Sequence, residues 1–95
     1  MDQINKYSDY FIALNRAEEY IGKRVLLLKS TKPSKKFMIL IDGKWIHFGK
    51  ANIIDFTKDF NRKRREIARQ KINMRDGIWK HDKYHPINLS LNILW

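Results

Sequence analysis

Between two apolar runs, Phe37 to Ile41 (FMILI) and Trp45 to Phe48 (WIHF), stands the dipeptide Asp42-Gly43. A two-residue hairpin of type I′ needs positive φ at both central positions, and Asp-Gly adopts that conformation at little cost. The turn also sets the register. Pairing Ile41 with Lys44 places Ile39 opposite Ile46 and Phe37 opposite Phe48, a coherent apolar face. The other face carries Met38, Leu40, Trp45 and His47. Because both faces are apolar, the sheet is expected to be covered on both sides, by its own helices or by another subunit. Arg24 to Lys29 (RVLLLK), set off by Lys32-Pro33-Ser34-Lys35, reads as a third antiparallel strand.

Helical signals flank this meander. Ser8-Asp9 marks a start and Gly22 a stop, and Tyr10, Leu14, Ala17 and Ile21 form one stripe between them. Glu18 and Glu19 lie at the C-terminal end, where the helix dipole disfavours acids, so a basic neighbour, within the chain or on a partner, is expected to hold them. After the sheet, Lys50 to Lys58 reads as a connection. Asp59 to Arg75 (DFNRKRREIARQKINMR) then reads as a helix, with Asp59 as its cap and Asp55 and Thr57 as other candidates. In the last segment, Gly77 to Trp95, the pattern fits a strand on Leu89, Leu91 and Ile93 or a helix on Ile87, Leu91 and Leu94. Its apolar end implies docking against the domain or a neighbour.

The expected class is therefore α+β, a single domain over 1–95. Its parts are an N-terminal helix (1–22), a small three-stranded antiparallel sheet (23–49), a basic helix (59–75) and a docked C-terminal segment (77–95). Ninety-five residues, 43% of them apolar, suffice for one compact core and no more. The absence of cysteine removes disulfides, thiolate chemistry and Cys-containing zinc sites. No apolar run is long enough to span a membrane, and the acidic Met1-Asp2-Gln3 start does not read as a signal peptide.

The net charge of +10 is unevenly spread. Asp2, Asp9, Glu18 and Glu19 outnumber Lys6 and Arg16 in the first 22 residues, so the positive excess lies in the main body. Much of it sits in the basic helix, where Arg62, Lys63, Arg64, Arg65, Arg69, Lys71 and Arg75 face one interior acid, Glu66. Arg62, Arg65 and Arg69, at i, i+3 and i+7, share a face that is expected to point outward over a narrow apolar stripe of Phe60, Ile67, Ala68, Ile72 and Met74. Such a helix binds something anionic or stays solvated. On nucleic acid it would neutralise phosphates with steep salt dependence, but no groove-entering motif accompanies it. On a protein it would meet carboxylates.

Chemistry beyond binding is thinly marked. His81, Asp82 and His85 (HDKYH) lack a third strong ligand, and Pro86 disfavours helix at His85. They read as a surface loop. His47, Asp55 and Asp59 do not form a catalytic cluster. Trp45, Phe37 and Phe48 could stack bases, yet a domain this small needs them for its core. The sequence thus predicts no enzyme activity, no cofactor, no metal, no small-molecule substrate and no membrane association.

Gly43-Lys44-Trp45-Ile46-His47-Phe48-Gly49, then Asp55-Phe56-Thr57 and Asp59, then Arg62, Arg64, Arg65 and Ile67-Ala68-Arg69, with Leu94-Trp95 at the end, form an order of short motifs. In this order the chain resembles a family of small, basic, uncharacterised proteins of large double-stranded DNA viruses and tailed phages. Gln70 stands where many members have His. The resemblance implies a viral origin and a non-enzymatic virion role, as a minor structural protein at the capsid or portal vertex. Its expected partners are other virion proteins with acidic surfaces, and its expected location is the virion, after synthesis in the host cytoplasm. The alternative is a small sequence-independent nucleic-acid-binding protein, and a weaker third is a host-directed inhibitor that mimics a basic peptide.

Overall fold

The computed structural model describes residues 6–95. The first five residues of the expected 1–22 helix, and with them the Met1-Asp2-Gln3 start, lie outside the described residues. Helix α1 spans Tyr10–Ile21, with Asp9 as N-cap accepting from the Ile12 amide at 3.1 Å. Gly22 closes it at φ 87°, its N–H donating to the Glu18 carbonyl. A break at Ser8 and Asp9 separates α1 from the helical turn at Lys6 and Tyr7, so residues 1–22 are not one continuous helix. Glu18 Oε2 accepts from the Val25 amide at 3.2 Å. A main-chain N–H of the chain itself thus holds Glu18, and among the described residues no basic side chain forms an ion pair with it.

The three strands β1 (Leu27–Lys29), β2 (Lys35–Ile41) and β3 (Lys44–Lys50) form an antiparallel sheet in the order β1-β2-β3. The register is the one set by the turn: Ile41 faces Lys44, Ile39 faces Ile46 and Phe37 faces Phe48. Asp42 at φ 50° and Gly43 at φ 76° supply the two positive dihedrals. Strand β1 is shorter than expected, although Leu40 N–H still donates to the Leu26 carbonyl beyond its end.

One face of the sheet is dry. Phe37, Phe48, Ile39 and Leu27 meet Ala13 and Ala17 of α1 and the C-terminal residues Leu89, Ile93 and Leu94. The small alanines let α1 lie close to the sheet, and the Phe37 and Phe48 rings pack 6.0 Å apart. The opposite face is not covered among the described residues. Leu26, Leu28, Leu40 and Trp45 stay between 36 and 48% exposed, contrary to cover from the chain's own helices.

The connection after β3 contains a helix that the sequence pattern did not announce, α2 (Phe56–Asp59), capped by Asp55. Phe60 follows in the left-handed region at φ 51°, and α3 then runs over Arg62–Asn73 with Asn61 as its N-cap. Asp59 therefore does not cap the basic helix, and the helix does not run from 59 to 75. The terminal segment is helical: a 3₁₀ turn at Ile78–His81, a short α4 (Pro86–Leu89), then a π-helical turn over Ser90–Leu94. Neither expected stripe is the buried one. Leu89, Ile93 and Leu94 face the core, because the wider π-turn shifts the phase.

One buried ion pair ties these parts together. Lys36 Nζ of β2 lies 2.7 Å from Asp55 Oδ2, with side-chain exposures of 5 and 1%. Ser8 donates to the same carboxylate oxygen, while the Thr57 amide (2.9 Å) and hydroxyl donate to the other. Lys36 also donates to the Ile53 carbonyl. Burial pushes the Lys36 ammonium below its ordinary pKa, and Asp55 opposes the shift. Removing one member of such a pair strands a buried charge and costs roughly 3–5 kcal/mol. Lys36→Met and Asp55→Asn should each lower unfolding free energy by about that amount. The double variant should lose less than the sum by about 0.5–3 kcal/mol. Urea denaturation of the four proteins measures this, and strict additivity would contradict a coupled pair.

Candidate partner-binding surface

Six of the seven basic residues lie on α3, with Arg75 just past its end, and they cannot share a face because successive side chains step about 100° around the axis. The structure divides them into three groups. Arg62, Lys63 and Arg64 are exposed at the start of α3, and among the described residues only Arg64 meets an acid, Asp59 Oδ2 at 3.4 Å. Asp59 Oδ1 meanwhile accepts from the Asn61 amide, which braces the turn entering α3. Arg65 and Arg69 point inward. The Arg65 guanidinium carbon lies 4.6 Å from the Phe56 ring centre, and Arg69 Nε donates to the Trp95 main-chain oxygen at 3.1 Å. The expected outward face of Arg62, Arg65 and Arg69 is thus split, with Arg62 alone exposed and the other two half-buried.

The third group faces a groove. Lys71 and Arg75 line a hollow of about 430 Å³ between α3, the end of β3 and α4. Its wall holds the apolar surfaces of Ala68, Ile72, Pro86, Ile87 and Trp95. Lys35 and Lys50, paired with each other across β2 and β3, add two more cations from the sheet. Four cations around an apolar floor make an amphipathic seat. No residue of α3 is fully buried, so the helix is held by its half-buried residues and its cap.

Gly49 shapes the groove's inner wall. It sits at φ 82° and its N–H donates to Ser90 Oγ at 3.0 Å. A Cβ there would come 2.7 Å from Leu94 Cδ1 and 3.1 Å from Lys36 Cβ. Glycine is therefore needed both for the dihedral and for the close approach of the C-terminal segment.

Most of the other residues weighed in the sequence have structural partners, while His81 is exposed. His85 caps α4, its Nδ1 accepting from the Ile87 amide at 3.1 Å, with Pro86 at the first helical position. Asp82 accepts from the Tyr84 amide at 3.0 Å, and His47 Nδ1 lies 2.7 Å from Ser30 Oγ. Asp55 is the centre of the buried ion pair. Among the described residues no group of three or more acids and histidines could hold a metal ion. No described helix is long and apolar enough to cross a membrane.

Sequence reasoning missed Lys35 and Lys50, whose link to the helix is purely tertiary. It also missed Arg16, whose Nη2 donates to the Asn92 carbonyl at 3.3 Å and whose guanidinium carbon lies 5.8 Å from the Phe56 ring. An aromatic residue six positions before the first arginine of α3 was the available signal for inward-facing arginines.

Residues 25–70 match the model of a family described as of unknown function, DUF5754. That stretch, slightly less than half of the chain, runs from the approach to β1 into the second half of α3. It includes Gly43 to Gly49, Asp55 to Thr57 and Arg62 to Arg69, but neither Lys71, Arg75 nor the C-terminal segment. No curated protein and no solved structure matches the chain.

Gly49→Ala should destabilise the fold by about 1–3 kcal/mol, from combined overpacking and backbone strain. Gly43→Ala, where no atom lies within 4 Å, should lose only the dihedral part. Thermal unfolding of the two variants checks the order, and equal losses would show that Leu94 does not close on Gly49.

Proposed function

We propose that this chain is a non-enzymatic structural protein that cements neighbouring subunits of a virion. The observation that carries the reading is the groove beside α3, where Lys35, Lys50, Lys71 and Arg75 surround an apolar floor. Phosphate backbones need charge alone, whereas an acidic protein segment with apolar side chains uses both rim and floor. The bare sheet face, with Leu26, Leu28, Leu40 and Trp45, supports the same reading by offering a second dry contact. A molecule with two separate contact surfaces can hold two neighbours. The viral setting, at a capsid or portal vertex, rests on the motif resemblance described in the sequence.

Desolvated charge contacts dominate dissociation, and losing one costs about 2 kcal/mol or more. Washed particles should therefore contain the chain at a fixed, symmetry-related copy number. Lys71→Glu combined with Arg75→Glu should reduce its occupancy at least about tenfold, read by quantitative mass spectrometry. Absence of the unmodified chain from washed particles would sink the assignment.

A second reading is favoured by Arg62 and Lys63, which are exposed without an acidic partner among the described residues. They suit sequence-independent contact with nucleic-acid phosphates. In that case affinity for a DNA duplex falls with salt at a log–log slope of roughly −0.9 per phosphate neutralised. Reversing Arg62, Lys63 and Arg64 to Glu should flatten the slope by about 3 on the same rule. No binding by the free protein at low salt would dispose of this reading.

A further inference from the structure

The connection from β1 to β2 borders a second hollow, of about 540 Å³, which has only Lys35 in common with the groove beside α3. Ser30 to Pro33, Tyr7 and the turn at Ala51 and Asn52 form its walls. These walls are braced by hydrogen bonds. The Ser30 amide donates to the Lys36 carbonyl at 3.1 Å, and the Lys32 amide to Ser30 Oγ at 3.0 Å. The Ala51 amide donates to the Ser34 carbonyl at 3.2 Å, and the Tyr7 carbonyl accepts from the Asp55 amide at 3.0 Å. A hollow held in this way needs little ordering to receive a ligand.

Its charge is one-sided. Lys29, Lys32, Lys35 and Lys36 line the space, and no aspartate or glutamate does. Asp55 answers the charge of Lys36, whereas Lys32 and Lys35 form no ion pair among the described residues. The Lys35 amide donates to the Lys32 carbonyl at 3.0 Å, with Pro33 second in the turn. Such a turn keeps its first and last Cα atoms within about 7 Å. Lys32 and Lys35 are therefore held close together on one rim, where their charges repel unless an anion lies between them.

The remaining lining defines that anion. The Thr31 hydroxyl and the Asn52 side-chain amide add uncharged donors. A carboxylate brings one charge on two oxygens, and a nucleic-acid strand brings one charge per phosphate along an extended track. A terminal phosphoryl group brings nearly two charges on three oxygens, which matches two ammoniums with neutral donors beside them. A bare ion would leave most of the space empty, since hollows of this volume suit small organic molecules. Tyr7, Pro33 and Ala51 offer apolar surface to such a body. We infer that this hollow binds a small phosphomonoester, with its phosphoryl group between Lys32 and Lys35 and its organic part against Tyr7 and Pro33. Thr31, Lys32 and Asn52 do not line the groove, so the inference stands apart from the assembly role.

The test titrates the full chain with ribose 5-phosphate, inorganic phosphate and ribose, while sodium chloride holds ionic strength constant. Backbone amide resonances report each position. Ribose 5-phosphate should give saturable shifts at Thr31, Lys32, Lys35 and Asn52, with Arg62 and Lys63 unmoved, and should bind more tightly than either of the other two probes. Lys32→Gln and Lys35→Gln, each judged folded by its amide spectrum, should weaken binding about tenfold, as loss of a charge-assisted contact implies. Lys71→Gln should leave it unchanged. Equal binding of inorganic phosphate would overturn the ester and leave a site for an ion only. Shifts that do not saturate or that spread to Arg62 and Lys63 would overturn the site, as would unchanged affinity in both variants or tighter binding of a DNA duplex at the same amides. Particle occupancy of Lys32→Gln should match the unmodified chain, so failure here is read separately from failure of the assembly role.

Discussion

A single carboxylate, that of Asp55, holds the architecture in register. It receives the Lys36 ammonium from β2, the Ser8 hydroxyl from the entry to α1, and the Thr57 amide and hydroxyl from α2. Thr57 in turn accepts from the Asp9 amide at 3.0 Å, so the cap of α1 is linked to the same centre. The Asp55 amide donates to the Tyr7 carbonyl at 3.0 Å. An apolar core alone would tolerate sliding of α1 over the sheet. A charged pair in a dry setting does not, because a small displacement leaves costly groups unpaired. The first turn of α1, the sheet and the start of α2 are therefore set by one point.

This arrangement also positions the basic surface. α2 leads from Asp55 to the left-handed Phe60, and Asn61 then starts α3 in a new direction. Because α3 buries no residue completely, its course depends on how α2 delivers it and on what Arg65 and Arg69 find at Phe56 and Trp95. Charges used inward as fasteners and charges left exposed to solvent thus belong to the same helix. The division follows from helical geometry, not from composition.

The legible and illegible parts of the sequence differ by range. The hairpin was readable to the residue, because Asp42-Gly43 is a local signal and period-two alternation fixes everything paired to it. The ends of α1 were readable from Asp9 and Gly22 for the same reason. Asp55, among three proposed caps, proved to cap a helix that four residues are too few to announce. Lys36 carried no signal in the sequence, since nothing near it shows the acid it meets. The C-terminal phase was hidden by the π-turn, which breaks the period on which stripe reading rests. For the candidate site, a basic helix carrying six of the seven cations was legible, but its bounds, the division of the cations and the contributions of Arg16, Lys35 and Lys50 were not. These depend on contacts between distant segments.

The bare side of the sheet has a consequence when set beside the net charge of +10. Copies of the molecule repel one another, so Leu28, Leu40 and Trp45 are shielded from mutual adhesion with no covering element among the described residues. That protection lasts only while the charge stands. Under the proposed assembly role, anions settling on the basic surface would lower that repulsion and make the apolar surface adhesive. Neutralisation would then come first and hydrophobic closure second, giving attachment an order of events from nothing more than long-range repulsion and short-range attraction on one small body.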